Sequence, residues 1–211
     1  MRVLYDYFRS SAAYRVRIAL NLKGLDYDSV PVPLLEDAQR AEPYLAKNPQ
    51  GLVPTLQDGD ALLTQSLAIC EYLDETYPEP ALLPRDAYAR AQVRALALSV
   101  ACDIHPINNL RVLRQLESQF GADQTQKNAW YTHWVAVGLS ALEQQVQATR
   151  GRFCFGDTVT LADIALVPQL YNARRFECDM TRYPTLVEIE QRCLALPAFA
   201  NATPEAVQNK L

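Results

Sequence analysis

The sequence predicts a small α/β domain followed by an all-helical one. Short strand and helix patterns alternate from residue 1 to about 80. The proline-rich run YPEPALLPRD then interrupts the chain, and strand signals nearly vanish after it. Taken in order, VLYDYF (Val3 to Phe8) is β-branched and aromatic and reads as a strand. From Ala13 to Lys23, Tyr14, Ile18, Ala19 and Leu22 share a face while Arg15, Arg17 and Asn21 point elsewhere. That is an amphipathic helix, with Gly24 as its C′ stop. DSVPVPL is a second short strand whose prolines favour an edge, and a short helix follows from about Asp37 to Ala46. PTLQDGDALLTQ is two strands about an Asp58-Gly59 turn, and Ser66 caps the helix carrying Leu67, Ile69, Cys70, Leu73 and Tyr77. The order is β-α-β-α-β-β-α, over residues 1–80.

Residues 81–86 read as a linker, and 87–211 as the helical domain. Ala87 to about Gln119 is one long helical stretch bent near Pro106. Gln124 to about Ala148 is a second helix, with Trp130, Trp134, Val137, Leu142 and Val146 as core candidates. Thr160 and Asp163 form a Thr-x-x-Asp variant of the capping box ahead of the apolar run of a third helix. YPTLVEIEQRCLAL is a fourth.

Composition bounds the function. The chain has 211 residues, 49% hydrophobic and 21% charged, with a formal net charge of −4, which gives no general attraction to nucleic acid or an anionic membrane. The amino terminus begins directly in strand-like sequence, and no run approaches the roughly 18–20 apolar residues of a membrane span. Five widely spaced cysteines (70, 102, 154, 178 and 193) and two histidines form no metal-like spacing. They read as incidental thiols of a reducing cytoplasm, with no metal expected.

Three short stretches carry candidate chemistry. RSSAAYRVRIALNLKG sets Arg9, Ser10 and Ser11 at the start of the first helix. GLVPTLQ puts Pro54 directly before a strand; with a cis bond, the Val53 backbone would be available to pair with an extended peptide. Gln65-Ser66 lies at a strand-to-helix junction, where first-turn N–H groups and a hydroxyl suit a carboxylate. Taken alone, Ser66 reads first as an N-cap. Together these features favour a short acidic peptide as ligand.

The segments SSAAYRVRIAL, NPQGLVPTL, QSLAICEYLDETYP, ALLPRD, DIHPINNLRVL, GDTVTLADIALVPQL and ARRFECDMTRYPT, in this order, resemble the zeta class of the glutathione transferase superfamily, which includes maleylacetoacetate and maleylpyruvate isomerases. The resemblance covers nearly the whole chain. It implies a thioredoxin-like domain followed by a helical glutathione-transferase domain, a homodimer, and glutathione as cofactor. It implies that Val53, beside a cis Pro54, pairs with the cysteinyl backbone of glutathione, that Gln65 and Ser66 hold its γ-glutamyl end, and that Ser10, with Ser11 beside it, sits at the sulfur. Gln50, His105 and Asn109 are implied as pocket residues, with Asp103 reaching the neighbouring subunit's site. A small dianionic diketo acid needs planar bidentate donors; the resemblance places Arg9 and Arg175 at the substrate pocket, and Arg111 is a third candidate. Arg15, Arg17 and Arg174 are expected to be helix-face or surface charges.

Ala12 stands where the family pattern has cysteine, and Ala13 where it has serine. Because glutathione supplies the nucleophile, the Ala12 change removes an auxiliary donor and the reaction type is expected to survive. The expected activity is glutathione-dependent cis-trans isomerisation by reversible thiolate addition. Two alternatives stand beside it: a zeta-type transferase acting on small α-halo acids, and a non-catalytic glutathione-binding module.

Overall fold

A computed structural model describes residues 1–208. The chain divides into two compact units. One is Met1–Leu82 joined by the described residues from Leu194 onward, and the other is Leu83–Cys193. This differs at the carboxyl end from the expected boundaries, which give all of 87–211 to the helical domain; residues 209–211 of that span lie outside the described residues. The reason is local. The one-turn helix α9 (Pro197–Ala200) packs on α1 (Ser11–Leu22), where Asn21 donates to the Ala198 carbonyl at 2.9 Å and Arg17 to the Ala202 carbonyl at 3.0 Å.

In the first unit, β1 (Arg2–Asp6), β2 (Asp28–Pro31), β3 (Thr55–Asp58) and β4 (Ala61–Thr64) form one sheet in the order β2-β1-β3-β4. β1 runs parallel to β2 and antiparallel to β3, and β3–β4 is the hairpin read from Asp58-Gly59. Gly59, at φ 60°, supplies the left-handed turn that this tight connection needs. The proline-bearing β2 is an edge, as expected. β1 stops at Asp6 because the chain turns there, with Ser10 N–H donating to the Tyr7 carbonyl at 2.7 Å. Gly24 ends α1 at φ 64° in the expected C′ role.

Two expectations fail in this unit. The helix read from Asp37 to Ala46 is instead two 3₁₀ turns, Leu34–Glu36 and Ala38–Arg40, and the single-turn α2 (Glu42–Leu45). Asp37 adopts φ 57° between the turns, which a continuous helix does not permit. The polar face read onto α1 does not exist, because every residue from Ser11 to Leu20 is buried, Arg15 and Arg17 included. α3 (Ser66–Thr76) and α9 both pack against α1, and Ser11 to Leu20 have no solvent face.

In the second unit the expected long helix is broken into four pieces. α4 (Ala87–Leu98) passes into a π-helical segment, Ser99–Ile104, then a 3₁₀ turn, Pro106–Asn108, and α5 (Leu110–Phe120). Pro106 lacks the N–H that would continue the ladder, and Asn109 caps α5 afresh by accepting from the Arg111 N–H at 3.1 Å. α6 (Gln124–Val146) buries Tyr131, Val135, Leu139, Leu142 and Val146. Of the residues expected in its core, Leu142 and Val146 are buried, Trp130 and Trp134 are half-buried, and Val137 is 52% exposed. The true stripe runs one residue out of phase with the tryptophans. Gly138 on α6 leaves room for Ile104, whose side chain would collide with any Cβ placed there. α7 (Leu161–Arg175) is the buried axis of this unit, with every residue from Leu161 to Leu170 inside it, and α8 (Pro184–Leu194) follows. The chain ends its described part in α10 (Pro204–Gln208). Among the described residues no helix is long and apolar enough to cross a membrane.

Candidate active site

The topology of the first unit gathers three of the sequence motifs at one end of the sheet. β1 delivers its carboxyl end to the Arg9-Ser10 turn. The antiparallel β3 begins beside it, after Val53-Pro54, and β4 ends beside β3 at Gln65-Ser66. The registers Tyr5↔Thr55 and Thr55↔Thr64 fix this convergence.

The Arg9-Ser10 turn is held from beneath by a buried ion pair. Arg17 Nη1 lies 2.8 Å from both Asp6 carboxylate oxygens, and its Nη2 donates to the Phe8 carbonyl at 3.0 Å. Burial raises the Asp6 pKa above the ordinary carboxylate value, while the guanidinium opposes that rise. Removing one member would strand a buried charge, a loss of roughly 3–5 kcal/mol. Ser10 is the N-cap of α1, its Oγ accepting from the Ala13 N–H at 3.2 Å. That bond uses a lone pair and leaves the hydroxyl proton available. Ser11 Oγ is buried and has no hydrogen-bond partner among the described residues. The first turn carries no acidic side chain, so the positive end of the helix is uncompensated by the chain's own charge. Arg9 is exposed, its guanidinium 5.0 Å from the Phe8 ring centroid. It borders a cleft of about 410 Å³ with Phe8, Pro33, Leu35 and Val207.

The Val53-Pro54 bond is cis, as the resemblance implied. A second cis bond, Glu79-Pro80, had no sequence signal. The loop before Val53 is pinned at the Leu52 carbonyl, which accepts from Tyr44 Oη at 2.6 Å and Asn48 Nδ2 at 2.7 Å. Among the described residues no hydrogen bond uses the N–H or C=O of Val53. A buried residue with a free peptide edge beside a sheet suits an added strand.

Gln65 takes φ 68°, ψ 111° at the start of α3, a conformation costly for a non-glycine residue. Its Nε2 meets Gln50 Oε1 at 2.8 Å, so these two expected ligand residues come together. The N-cap position belongs to Gln65, which corrects the expectation that Ser66 caps this helix. Ser66 is the first helical residue, buried, and its Oγ accepts from Arg15 Nη1 at 3.2 Å. Arg15, expected on the surface, is therefore a member of this cluster. No local spacing signals it, because its partner is 51 residues away.

In the second unit, Asp103 is exposed in the π-helical segment, and His105 follows that segment half-buried. Asn109 caps α5, and Arg111 is exposed in its first turn. Arg175 ends α7, its guanidinium 5.0 Å from the Phe176 ring centroid, and that ring stacks on Tyr131 at 3.6 Å. Arg174, unlike Arg15 and Arg17, keeps its expected surface setting, with Nη1 2.6 Å from Glu190 Oε1. Thr160 and Asp163 form the expected capping box.

Four of the five cysteines offer no activated nucleophile. Burial pushes the Cys70 thiol up to about 12 and raises those of Cys154, Cys178 and Cys193. Among the described residues no group of three or more His, Cys, Asp or Glu side chains is placed to hold a metal ion. The chemistry on offer is anion binding by hydroxyls, amides and helix ends, with a reactive group brought by the ligand.

Comparison with known proteins agrees. The glutathione S-transferase N-terminal domain family matches residues 4–81, and the C-terminal domain family matches 110–192. A protein of Vibrio cholerae serotype O1 named probable maleylacetoacetate isomerase is 53% identical over 205 residues, 96% of this chain and 95% of its own. A holo structure of maleyl pyruvate isomerase, described as a bacterial glutathione S-transferase of the zeta class, is 49% identical with a TM-score of 0.95 over 97% of each chain. The maleylacetoacetate isomerase of Methylobacterium extorquens AM1, solved with bound malonate and glutathione, is 43% identical with a TM-score of 0.94, again over 97% of each chain.

Proposed function

Because this chain belongs to the zeta class of the glutathione S-transferase family, we propose that it is a glutathione-dependent isomerase converting a maleyl-diketo acid to its fumaryl isomer. The substrate is maleylacetoacetate or maleylpyruvate. Ser10, at an acid-free helix N-terminus with its hydroxyl proton unused, is the observation that carries the reading.

The first unit fits the tripeptide. The unpaired Val53 edge suits its cysteinyl backbone, and the Gln50–Gln65 pair and Ser66 suit its γ-glutamyl carboxylate. The orphaned Ser11 hydroxyl suits a polar group at the start of α1. Bound glutathione supplies the thiolate that adds reversibly to the substrate's cis double bond. Ser10 keeps its proton on Oγ and donates a hydrogen bond to the sulfur, and the amino end of α1 favours the anionic state. Arg9, Arg111 and Arg175 take the carboxylates and keto oxygens of the substrate, with planar donors that also favour charge developing on the conjugated carbonyl. His105 and Asn109 line the cofactor pocket, and Asp103 contributes to the site of a second copy. Ala12 removes none of these functions. The bound malonate of the Methylobacterium relative, a small dicarboxylate, supports the dianionic substrate class.

We also propose a homodimer. Tyr88, Ala91, Ala95, Leu98 and Cys102 are exposed at spacings of three and four along α4 and the π-helical segment, an apolar stripe suited to a second helix. Sedimentation in solution tests it. A cytoplasmic location suits five unpaired thiols.

The test is isomerisation of maleylpyruvate and maleylacetone, with and without glutathione, by the protein and by Ser10→Ala. The expected result is glutathione-dependent turnover that falls at least about tenfold in the variant, about 1.4 kcal/mol. Glutathione binding without turnover contradicts an isomerase and leaves a binding module. Halide release from dichloroacetate that outruns isomerisation identifies a halo-acid transferase instead.

A further inference from the structure

Ser66 is the first helical residue of α3, one position past the N-cap at which a serine would accept from a backbone N–H two or three residues on. Here that geometry is absent. The cap position belongs to Gln65, whose backbone is turned to φ 68°, and Ser66 Oγ faces Arg15 Nη1 at 3.2 Å. A guanidinium has donors only, so Ser66 is the acceptor in this bond. Among the described residues its hydroxyl makes no other. The proton of Ser66 is thus not used within the described residues and is free to be donated to a ligand. Arg15 is itself only 1% exposed and reaches Ser66 from α1, packed alongside α3. A cation held beneath the first turn of α3 adds to the positive potential of that helix end, and a buried charge is screened far less than a surface one. The Cys70 thiol, one helical turn after Ser66 on α3, feels the same charge, which opposes the rise that burial imposes on it.

We propose that Arg15 is a positioning residue for the cofactor. It fixes the Ser66 hydroxyl as a donor and supplies the buried positive charge that selects the α-carboxylate of the γ-glutamyl end. The inference rests on the glutathione reading above and names the group that sets the polarity of that subsite. It makes Arg15 more than a packing residue, because a packing role would have no preference for one ligand group over another.

The experiment measures Kd by titration calorimetry for glutathione and for γ-aminobutyrylcysteinylglycine, which lacks only the γ-glutamyl α-carboxylate. The proteins are the wild type, Arg15→Lys, Arg15→Met, Ser66→Ala and the Arg15→Met/Ser66→Ala double variant. The inference expects Arg15→Met to weaken glutathione about tenfold or more and the analogue by less than about twofold. It expects the double variant to bind no worse than Arg15→Met by more than about twofold, since the two residues act through one contact. Arg15→Lys, which keeps a cation and a donor, recovers part of the loss. In steady-state assays the loss appears in KM for glutathione far more than in kcat. Should Arg15→Met fail to fold, Arg15→Lys carries the same ligand comparison, and a shift for glutathione alone supports the inference. Equal weakening of both ligands, additive losses in the double variant, or unchanged glutathione binding overturns it. A wild-type protein that binds neither ligand overturns the glutathione reading itself, an outcome distinct from any pattern among the variants.

Discussion

Helices α1 and α7 begin alike and serve opposite ends. Each opens on a hydroxyl residue in extended conformation, Ser10 and Thr160, before a buried apolar run. At α7 the chain closes its own helix end. Asp163 is fully buried, and its carboxylate accepts from Thr160 N–H and Cys154 N–H, each at 2.8 Å, and from the Thr160 hydroxyl at 3.0 Å. At α1 nothing comparable is supplied. No carboxylate stands in the first turn, Ser10 makes one bond to Ala13, and the Ser11 hydroxyl has no partner among the described residues. The identity of the capping residue therefore does not separate a folding device from a functional one. The separation lies in whether the chain fills the positive helix end with its own charge or leaves it for a ligand.

The largest effect is expected at α7. Asp163→Ala strands two buried backbone donors and a hydroxyl, so stability should fall by roughly 2–5 kcal/mol, read as a lower denaturation midpoint in urea. A loss below about 1 kcal/mol would mean that Asp163 does not close the helix end. The second test imports the α7 solution into α1. Ala12→Asp places a carboxylate in the first turn at a position 9% exposed. Glutathione-dependent turnover should fall by about tenfold or more through repulsion of the thiolate, while the circular dichroism spectrum is retained. Unchanged turnover would remove the helix end from the mechanism. The smallest effect belongs to Ala12→Cys, which restores the residue the family pattern carries. The expected change in kcat is less than about threefold, since Ser10 and the helix end are the groups proposed to serve the sulfur. A hundredfold gain would make the missing thiol a catalytic group.

The sequence carried the parts of this fold that depend on near neighbours. The Asp58-Gly59 hairpin, the Gly24 stop, the edge placement of β2 and the Thr160–Asp163 cap each follow from residues within a few positions of one another. What it did not carry depends on distant partners. Arg17 looks like a surface charge until Asp6, 11 residues back, and Ala202, 185 residues on, are placed around it. Arg15 needs Ser66 in the same way. The π-helical segment at Ser99–Ile104 has no local signature either; it packs against α6 and α7, with Ile104 at Gly138. At the candidate site, Ser10, Val53, Gln65 and Ser66 were readable as types of group. Their common placement at one end of the sheet came from strand register. The strained backbone of Gln65, which moves Ser66 out of the cap position, had no signal in the residues themselves.

The role proposed for the open amino end of α1, with Ser10, is to hold a thiolate. The direct measurement is the ultraviolet thiolate absorbance of bound glutathione, titrated against pH in the wild type and in Ser10→Ala. The account predicts a bound thiol that ionises below the free value of about 8.5 in the wild type and returns toward it in the variant. A thiol that titrates at its free value in both proteins would contradict it.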